Sequence, residues 1–299
     1  MSEGPAPAEA RTRDLLARVR RAVALASRMS SSEAAGAYRS TFKGQGLDFA
    51  ELDEYSPGDD VRHIDWNATG RMGKPFVRRY HEEREGTVML VVNRGRQMHF
   101  GSSQWRKADT AAEAAALLAV LAVRNRDRVG LVTYGEEQPM GLAPAKGMDP
   151  AMRIIREVLV APESSDSVEP LARAIERCGR LLRRSAMVIV IGDLLTAEEL
   201  TDLPILAARH EVLCLAVRDP LERALPNAGL VRLEGVGLVD TSDAGLRARY
   251  AAQREQAEAQ VRQAAARCGA GLVELVAGED PLPAVMAWLR RRAGRRRVA

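Results

Sequence analysis

Three apolar runs constrain the fold of this chain of 299 residues more than any other feature of its sequence. The runs cover residues 87–92, 186–191 and 211–217, and each is about as long as one strand. Continuous apolar runs of this length are typical of parallel strands that are buried on both faces. Helical patterns separate the runs, which predicts an α/β fold with a mostly parallel sheet and helices on both of its faces.

The other elements follow from hydrophobic periodicity. Residues 9–29 carry apolar side chains at helical spacing, with arginines on the opposite side. Further strands are expected over residues 128–134, 137–142 and 271–275, and the second of these pairs with the first as a hairpin. Further helices are expected over residues 104–124, 151–159, 168–182, 197–208, 243–268 and 282–292.

Residues 36–86 differ from the rest of the chain because aromatic side chains and glycines concentrate there. This pattern predicts short strands that are joined by tight turns. The clearest turn is Ser56-Pro57-Gly58-Asp59, since proline presets the first central position of a type II turn and glycine tolerates the second. We therefore divide the chain into a leader with an N-terminal helix (1–35), a strand-rich signature region (36–86), an α/β domain (87–293) and a basic tail (294–299).

Charge and cysteine content exclude several classes of function. The 44 basic and 40 acidic residues nearly balance, whereas a dedicated nucleic-acid-binding domain concentrates a basic excess on one face. Cys178, Cys214 and Cys268 are odd in number and far apart, so their spacing fits neither a zinc site nor a disulfide framework. We expect them to be small, buried apolar side chains.

No integral membrane segment is expected. The longest apolar stretch, residues 114–123, is about half of the ~20 residues that a bilayer requires. The first residues show no basic region followed by an apolar one, so no signal peptide is expected. The default location is therefore the cytoplasm.

The most specific motif of the chain is a dense block of glycine, aromatic and charged residues between positions 44 and 84. It contains the sequence Gly-Asp-Asp at 58–60 and Ile-Asp-Trp at 64–66, and a later landmark reads Asp-Pro-Leu-Glu at 219–222. In these residues the chain resembles the domain-of-unknown-function fifty-eight family, over about residues 36–275. The signature residues are Gly44, Gly46, Tyr55, Pro57, Gly58, Asp59, Asp60, Arg62, Asp65, Trp66, Arg71, Arg79 and Glu83.

The resemblance implies a von Willebrand factor A-like (Rossmann-type) α/β domain that follows a small strand-rich region. Genes of the family commonly lie beside the gene of a MoxR-type AAA+ ATPase, so such an ATPase, or a client protein, is the implied partner. Many members begin with two membrane helices, and this chain is similar to the shorter, soluble members. The family name specifies no activity.

The resemblance also raises the question of a metal site. A-type domains usually bind Mg²⁺ at the C-terminal edge of the sheet through the sequence Asp-x-Ser-x-Ser, whose oxygens suit that ion. At the matching positions this chain has Asn93, Gly95 and Gln97, and Asp193 keeps a ligand-like place. One carboxylate compensates too little of the cost of dehydrating Mg²⁺. We therefore expect a degenerate metal-ion-dependent adhesion site without metal or other cofactor, in which Asn93 caps the following turn.

We expect a protein partner, and not a small substrate, to dock at this edge, where open α/β folds bind their ligands. Arg94, Arg96 and His99 make the loop rich in basic side chains. The chain is therefore predicted to be a non-catalytic interaction module and an adaptor or partner of a MoxR-type AAA+ ATPase. The residues predicted to bind the partner are Asn93, Arg94, Gly95, Arg96, Gln97 and Asp193.

One alternative is a metal-dependent enzyme. Its metal or acid–base centre would consist of His63, Asp65, His81 and Glu82 in the signature region. Spacing alone does not bring these residues together. The same charged block also fits a web of arginine–carboxylate pairs that holds the strands to the larger domain.

A second alternative is a peripheral binder of nucleic acid or of an anionic membrane. It would use the six arginines of residues 290–292 and 295–297. Arginines near the end of a helix also interact favourably with its dipole, and the cluster has no interleaved aromatic residues. We therefore predict no nucleic acid among the partners.

Overall fold

The computed structural model describes residues 8–28, 49–56, 59, 61, 64–80, 86–160, 169–233 and 236–296. Two 3₁₀ helices cover Arg96–His99 and Glu198–Leu200. The strands are β1 (Phe49–Glu54), β2 (Phe76–Tyr80), β3 (Thr87–Asn93), β4 (Arg128–Tyr134), β5 (Gly141–Ala145), β6 (Met187–Gly192), β7 (Glu211–Arg218), β8 (Leu230–Leu233), β9 (Gly237–Asp240) and β10 (Gly271–Val276). The α-helices are α1 (Ala8–Arg28), α2 (Trp66–Met72), α3 (Lys107–Arg124), α4 (Met148–Leu159), α5 (Leu171–Leu181), α6 (Leu203–Ala207), α7 (Pro220–Arg223), α8 (Ala244–Arg267) and α9 (Pro281–Arg296).

The central sheet has the strand order β10-β7-β6-β3-β4-β5. All neighbouring pairs in it are parallel except β4 and β5, which are antiparallel. The predicted fold class, a mostly parallel α/β sheet with helices on both faces, is confirmed. The chain begins this sheet at β3, extends it to β5, and returns to the other side of β3 with β6. The carboxyl ends of β3 and β6 therefore form the switch point, where open α/β folds bind ligands.

The apolar strands are buried because helices cover both faces of the sheet. Successive residues of a strand point to opposite faces. Leu90 packs in a core with α1, α3, α4 and α9, whereas Met89 and Val91 pack in a second core with α5, α6 and α8. All three side chains are fully buried. Such a strand needs an apolar residue at every position, as the sequence provides.

Helix α3 is the centre of the first core. It contacts α1, α4 and α9 as well as the strands of the sheet. Many of its residues are alanines that are completely buried, and their small side chains let the neighbouring elements approach closely. The predicted N-terminal helix is confirmed as α1, which buries Leu15, Val19 and Ala22 against this core.

The prediction that the cysteines are buried apolar side chains is confirmed for Cys178 and Cys214, whereas Cys268 is only partly buried. Cys178 and Cys214 are fully buried in the second core, and Cys268 packs against it. All three are free thiols. Burial raises the pKa of Cys178 and of Cys214 to about 12, so these two thiols stay protonated and act as apolar side chains.

Arg18 fastens α1 to the α/β domain. Its guanidinium lies 2.7 Å from the Glu113 carboxylate, donates to the Gly278 carbonyl at 2.8 Å, and stacks 4.4 Å from the centre of the Trp105 ring. Burial raises the pKa of Glu113, and the charge of Arg18 opposes this shift. Arg18 therefore compensates a carboxylate that the core would otherwise leave without a counter-charge.

Arg18→Met is expected to lower the free energy of unfolding by about 2 kcal/mol, because it removes a charge-assisted hydrogen bond from a buried carboxylate. Urea denaturation at pH 7 measures this change. Combining it with Glu113→Gln should recover part of the loss, since no buried charge then lacks a partner. A double variant that is as unstable as Arg18→Met would contradict this explanation.

Helix α2 lies in the signature region, for which the sequence predicts only strands and turns. Asp65 begins the helix, since its Oδ1 accepts hydrogen bonds from the backbone N–H groups of Asn67 and Ala68 at 3.0 and 3.1 Å. Gly73 ends it in the left-handed conformation, with φ of 73°. An aspartate and a glycine at these positions are typical helix caps, so the signal was present in the sequence.

Three further elements differ from the predictions. The β8–β9 hairpin was not predicted, because four-residue strands show too little alternation. Residues 197–208 form a 3₁₀ helix followed by α6, and not one continuous helix; Pro204 is tolerated in the first turn of α6 but would disrupt the interior of a longer helix. Strand β5 pairs with β4 as predicted but begins at Gly141.

Several predicted features lie outside the described residues. They include the leader before Ala8 and the last residues of the tail. The central residues of the predicted turn are also outside, although the N–H of Asp59 donates to the Ser56 carbonyl at 3.0 Å. Within the described ranges, no helix is long and apolar enough to cross a membrane. The signature residues outside these ranges are Gly44, Gly46, Pro57, Gly58, Asp60, Arg62 and Glu83.

Candidate functional site

Asn93 and Asp193 meet at the switch point of the sheet. Asn93 is the last residue of β3, and Asp193 directly follows β6. The Asn93 side-chain amide donates to Asp193 Oδ1 at 3.1 Å. Its carbonyl oxygen accepts from the Gly95 N–H at 2.8 Å, which confirms the prediction that Asn93 caps the turn after β3. Two residues that are a hundred positions apart in sequence thus form one buried polar pair.

The loops after β3 and β4 also approach each other closely at this edge. Gly135 has φ of 80°, a conformation that favours glycine. A Cβ atom at Gly135 would lie 2.4 Å from Asn93 Oδ1 and 2.8 Å from the backbone nitrogen of Gly95. The turn that carries the predicted site therefore depends on a glycine in the neighbouring loop.

Lys107 places a positive charge beside Asp193. Its side chain is completely buried, and its Nζ atom lies 3.6 Å from Asp193 Oδ2 and 2.5 Å from Glu222 Oε1. Two carboxylates from different loops thus share one ammonium group. Sequence analysis did not identify Lys107, although it noted the Asp-Pro-Leu-Glu landmark that contains Glu222.

The landmark forms the short helix α7 and a rigid corner after β7. Asp219 begins α7, and its Oδ1 accepts from the Leu221 N–H at 2.9 Å. Its other carboxylate oxygen accepts from the Ser102 N–H at 2.7 Å, which ties the corner to the loop before α3. This arrangement fixes the position from which Glu222 reaches Lys107.

A cavity of about 320 Å³ opens beside the Asn93–Asp193 pair. We call it the rim cavity. Its apolar walls come from the start of α5 and from the segment after β6, and its polar walls are mostly acidic. The lining residues are Asn93, Gln97, Tyr134, Gly135, Glu169, Pro170, Leu171, Ala172, Asp193, Leu195, Glu198, Glu199 and Asp202.

Only some of the carboxylates of the rim cavity have a cationic neighbour. Glu169 pairs with Arg177 at 2.7 Å, and Asp193 lies beside Lys107. Glu198, Glu199 and Asp202, which we call the acidic wall, have no lysine or arginine nitrogen within 4.0 Å in the part of the chain that the structure describes. The rim cavity therefore carries an excess of negative charge, which Lys107, Arg177 and the more distant Arg218 compensate only in part.

Glu199 is the carboxylate of the acidic wall whose pKa is raised in the folded chain. Burial, and next the negative charge of Asp193, raise its pKa. Two hydrogen bonds from the backbone N–H groups of Leu195 and Thr196 and the charge of Arg218 oppose this shift. The shift is upward, so the ionised form of Glu199 is less favourable in the folded chain than in water.

Tyr134 contributes a polar group without a partner. It lines the rim cavity, its side chain is only 3% exposed, and its hydroxyl has no hydrogen-bond partner among the described residues. Burial, and next the negative charges of Asp193 and Glu199, raise the pKa of the phenol well above its ordinary value, and the nearby Asn93 side chain opposes this shift only in part. The phenol is therefore protonated and keeps both a donor and an acceptor to offer.

The basic residues of the predicted site lie apart from this cavity. Arg94 Nε is 3.4 Å from Glu136 Oε2, and its guanidinium also donates to the Val160 carbonyl at 2.8 Å. Arg96 is exposed, His99 is half-buried, and neither lines the rim cavity. Of the predicted partner-binding residues, the cavity brings together Asn93, Gln97 and Asp193, while Gly95 packs beside them.

The alternative metal centre falls mostly outside the described residues. His63, His81 and Glu82 are not described. Asp65 is the N-cap of α2, where its carboxylate accepts hydrogen bonds from the backbone of the helix. Within the described residues, no group of three or more His, Cys, Asp or Glu side chains is arranged to hold a metal ion. The remaining described signature residues are Tyr55, Asp59, Trp66, Arg71 and, for its backbone in β2, Arg79.

One of the arginines near the C-terminus interacts with other side chains of the same chain. Arg292 forms an ion pair with Glu211 and lies 5.6 Å from the centre of the Trp288 ring. Arg290 and Arg291 are exposed on α9. The backbone of residues 295 and 296 continues α9, and residue 297 lies beyond the described ranges.

Sequence comparison with known proteins identifies the family to which this chain belongs. The family model described as "Protein of unknown function DUF58" matches residues 51–260. The chain belongs to the DUF58 family. Uncharacterized proteins of Mycobacterium bovis and of Mycobacterium tuberculosis are each 34% identical to it over 264 residues, which are 86% of this chain and 82% of theirs. The predicted membership is therefore confirmed.

Two solved structures share features with this DUF58 chain. An aerotolerance-related membrane protein from Bacteroides fragilis has 12% identity and a TM-score of 0.41, over 70% of this chain and 99% of that one. The SpRpn10 VWA domain has 10% identity and a TM-score of 0.37, over 69% of this chain and 94% of that one. The strand order described above establishes the mostly parallel α/β fold with helices on both faces, independently of these low similarities.

Proposed function

We propose that this DUF58 protein is a non-catalytic interaction module that serves as an adaptor or partner of a MoxR-type AAA+ ATPase. The observation that carries the proposal is the rim cavity at the switch point of the sheet, whose walls come from well-separated segments of the chain. A preformed concavity of this kind suits an anchoring side chain of another protein. The proposal places the protein in the cytoplasm, where such an ATPase obtains ATP.

The charges at the switch point support docking without a metal ion. Lys107 supplies, from within the chain, the positive charge that faces Asp193. A buried carboxylate that is already paired and hydrogen-bonded does not require a divalent ion to compensate its burial. We therefore propose that this edge works as a degenerate adhesion site, with Asn93, Gln97 and Asp193 at its centre.

The resemblance to the family supports the choice of partner, because family genes commonly lie beside the gene of a MoxR-type ATPase. Capture of the tagged full-length chain from its native cells, followed by mass spectrometry, tests this choice. We expect a MoxR-type ATPase to be recovered with the wild-type chain. Gln97→Trp, which obstructs the exposed mouth of the rim cavity, is expected to reduce this recovery about tenfold.

Gln256→Trp is the matched control, because it places the same side chain on an exposed position of α8. It should capture as much ATPase as the wild type does. Failure of the wild-type chain to recover any AAA+ protein would contradict the proposed partnership. Equal recovery with Gln97→Trp and with the wild type would show that the rim cavity is not the docking site.

A further inference from the structure

Three properties of the rim cavity point to the chemistry of its occupant. The acidic wall, formed by Glu198, Glu199 and Asp202, has no cationic neighbour within 4.0 Å among the described residues. The buried hydroxyl of Tyr134 has no hydrogen-bond partner in the same part of the chain. The volume of about 320 Å³ exceeds what a single ion needs. These properties fit an elongated cation with several hydrogen-bond donors.

We propose that the rim cavity receives an arginine side chain of the protein partner, with its guanidinium between the acidic wall and the Tyr134 hydroxyl. This inference rests on the proposed function, since it names the chemistry that holds a partner at the same edge. Here the domain supplies the carboxylates and the partner supplies the cation.

Arginine fits this cavity better than lysine does. Its planar guanidinium presents five N–H donors, which suits carboxylates and a phenol oxygen that lie on different walls. Pro170, Leu171 and Leu195 line the same cavity and provide apolar contacts for the aliphatic stem. A guanidinium is also more weakly hydrated than an ammonium group, so it loses less on entering a partly buried site.

Glu199 holds the turn after β6 through two backbone hydrogen bonds, and its negative charge is also one that a bound cation would stabilise. Its pKa is raised, so its ionisation at neutral pH disfavours the folded state. This cost is present at pH 7 and disappears as the pH falls below the ordinary pKa of a glutamate. A cation that enters the rim cavity would remove the cost, whereas Glu199→Gln would remove it without a ligand. Glu199→Gln is therefore expected to raise the melting temperature at pH 7 and to leave it unchanged near pH 3.

The decisive experiment titrates the full chain with N-acetyl-arginine amide and follows the backbone amide signals by NMR. We expect saturable shifts at Gln97, Tyr134 and Glu199. N-acetyl-citrulline amide has nearly the same shape without the charge, and we expect it to bind about tenfold more weakly. Glu199→Gln combined with Asp202→Asn should weaken the arginine probe by about the same factor.

Glu255→Gln combined with Asp149→Asn is the matched control, since it removes the same charges from exposed positions on α8 and α4. It should bind the arginine probe as the wild type does. Tyr134→Phe should weaken the probe severalfold and change stability little, because the hydroxyl loses only a weak contact with the Asn93 side chain. Equal binding of the arginine and citrulline probes, or equal binding by both double variants, would overturn the proposal. So would micromolar binding of free spermidine, which would make the cavity a site for small polyamines.

Capture from cells separates this inference from the proposed function. If the ATPase is absent from the wild-type capture but the arginine probe binds selectively, the partnership fails and the arginine site stands. If the ATPase is recovered equally with the wild type and with the Glu199→Gln, Asp202→Asn variant, the arginine site fails and the partnership stands. If both are right, the double variant loses the ATPase and the matched control keeps it.

Discussion

Lys107→Met should lower the free energy of unfolding by about 4 kcal/mol, the largest effect that we expect of any single substitution at the switch point. The methionine keeps most of the apolar stem but removes the ammonium that lies between Asp193 and Glu222. Both carboxylates would then lack their shared cation, and the Lys107 position is completely buried, so water does not replace it. Chemical denaturation at pH 7 measures the loss.

Two comparisons show whether the loss comes from the buried charges. Lys107→Met combined with Asp193→Asn and Glu222→Gln should recover much of the stability, because no uncompensated charge remains. Lys74→Met removes an ammonium that contacts Glu54 at 2.8 Å on the surface, where solvent screens the pair, and should change stability little. A triple variant as unstable as Lys107→Met would show that packing, and not charge, explains the effect.

Gly135→Ala should cost about 3 kcal/mol and disturb the turn that Asn93 caps. The new Cβ would require a strained positive φ and would meet Asn93 Oδ1 at 2.4 Å and the Gly95 backbone nitrogen at 2.8 Å. Asn93 would have to move, and its hydrogen bonds to Gly95 and Asp193 would lengthen. Thermal denaturation measures the stability change, and the NMR signals of Gly95 and Asp193 report the local displacement.

Gly73→Ala distinguishes conformational strain from steric collision. Gly73 also has a positive φ, of 73°, but a Cβ atom there would meet nothing within 4 Å. The substitution should therefore cost only the conformational strain, about 1 kcal/mol, and leave the signals of Gly95 unchanged. Equal losses in the two variants would contradict the close approach of the loops after β3 and β4.

The sheet could be predicted from the sequence because its signals are local. Uninterrupted apolar runs predict the strands β3, β6 and β7. The residues that end β3 and follow β6 were expected at the C-terminal edge of the sheet. The contact between Asn93 and Asp193 follows from that topology. The caps of α2 were equally local, but the aromatic residues and glycines around them favoured strands.

The centre of the candidate site depends on contacts that no local pattern reveals. Lys107 has the appearance of an ordinary lysine at the start of a helix, and its burial becomes apparent only when α3, α7 and the loop after β6 are placed together. The acidic wall was missed for the same reason, since Glu198, Glu199 and Asp202 resemble the polar residues of a surface helix. The basic loop around Arg94 suggested a positive edge, but Glu136 pairs with that arginine.

The packing of α1 has a consequence for the signature region. The helix precedes that region in the chain. Arg18 and the apolar face of α1 nevertheless pack against the α/β domain, whose first strand is β3. The signature region is thus an insertion between two elements, α1 and β3, that belong to one folding unit. A protein bound to the signature region is therefore kept at high local concentration beside the α/β domain, because a segment that is fixed at both ends stays close to that domain.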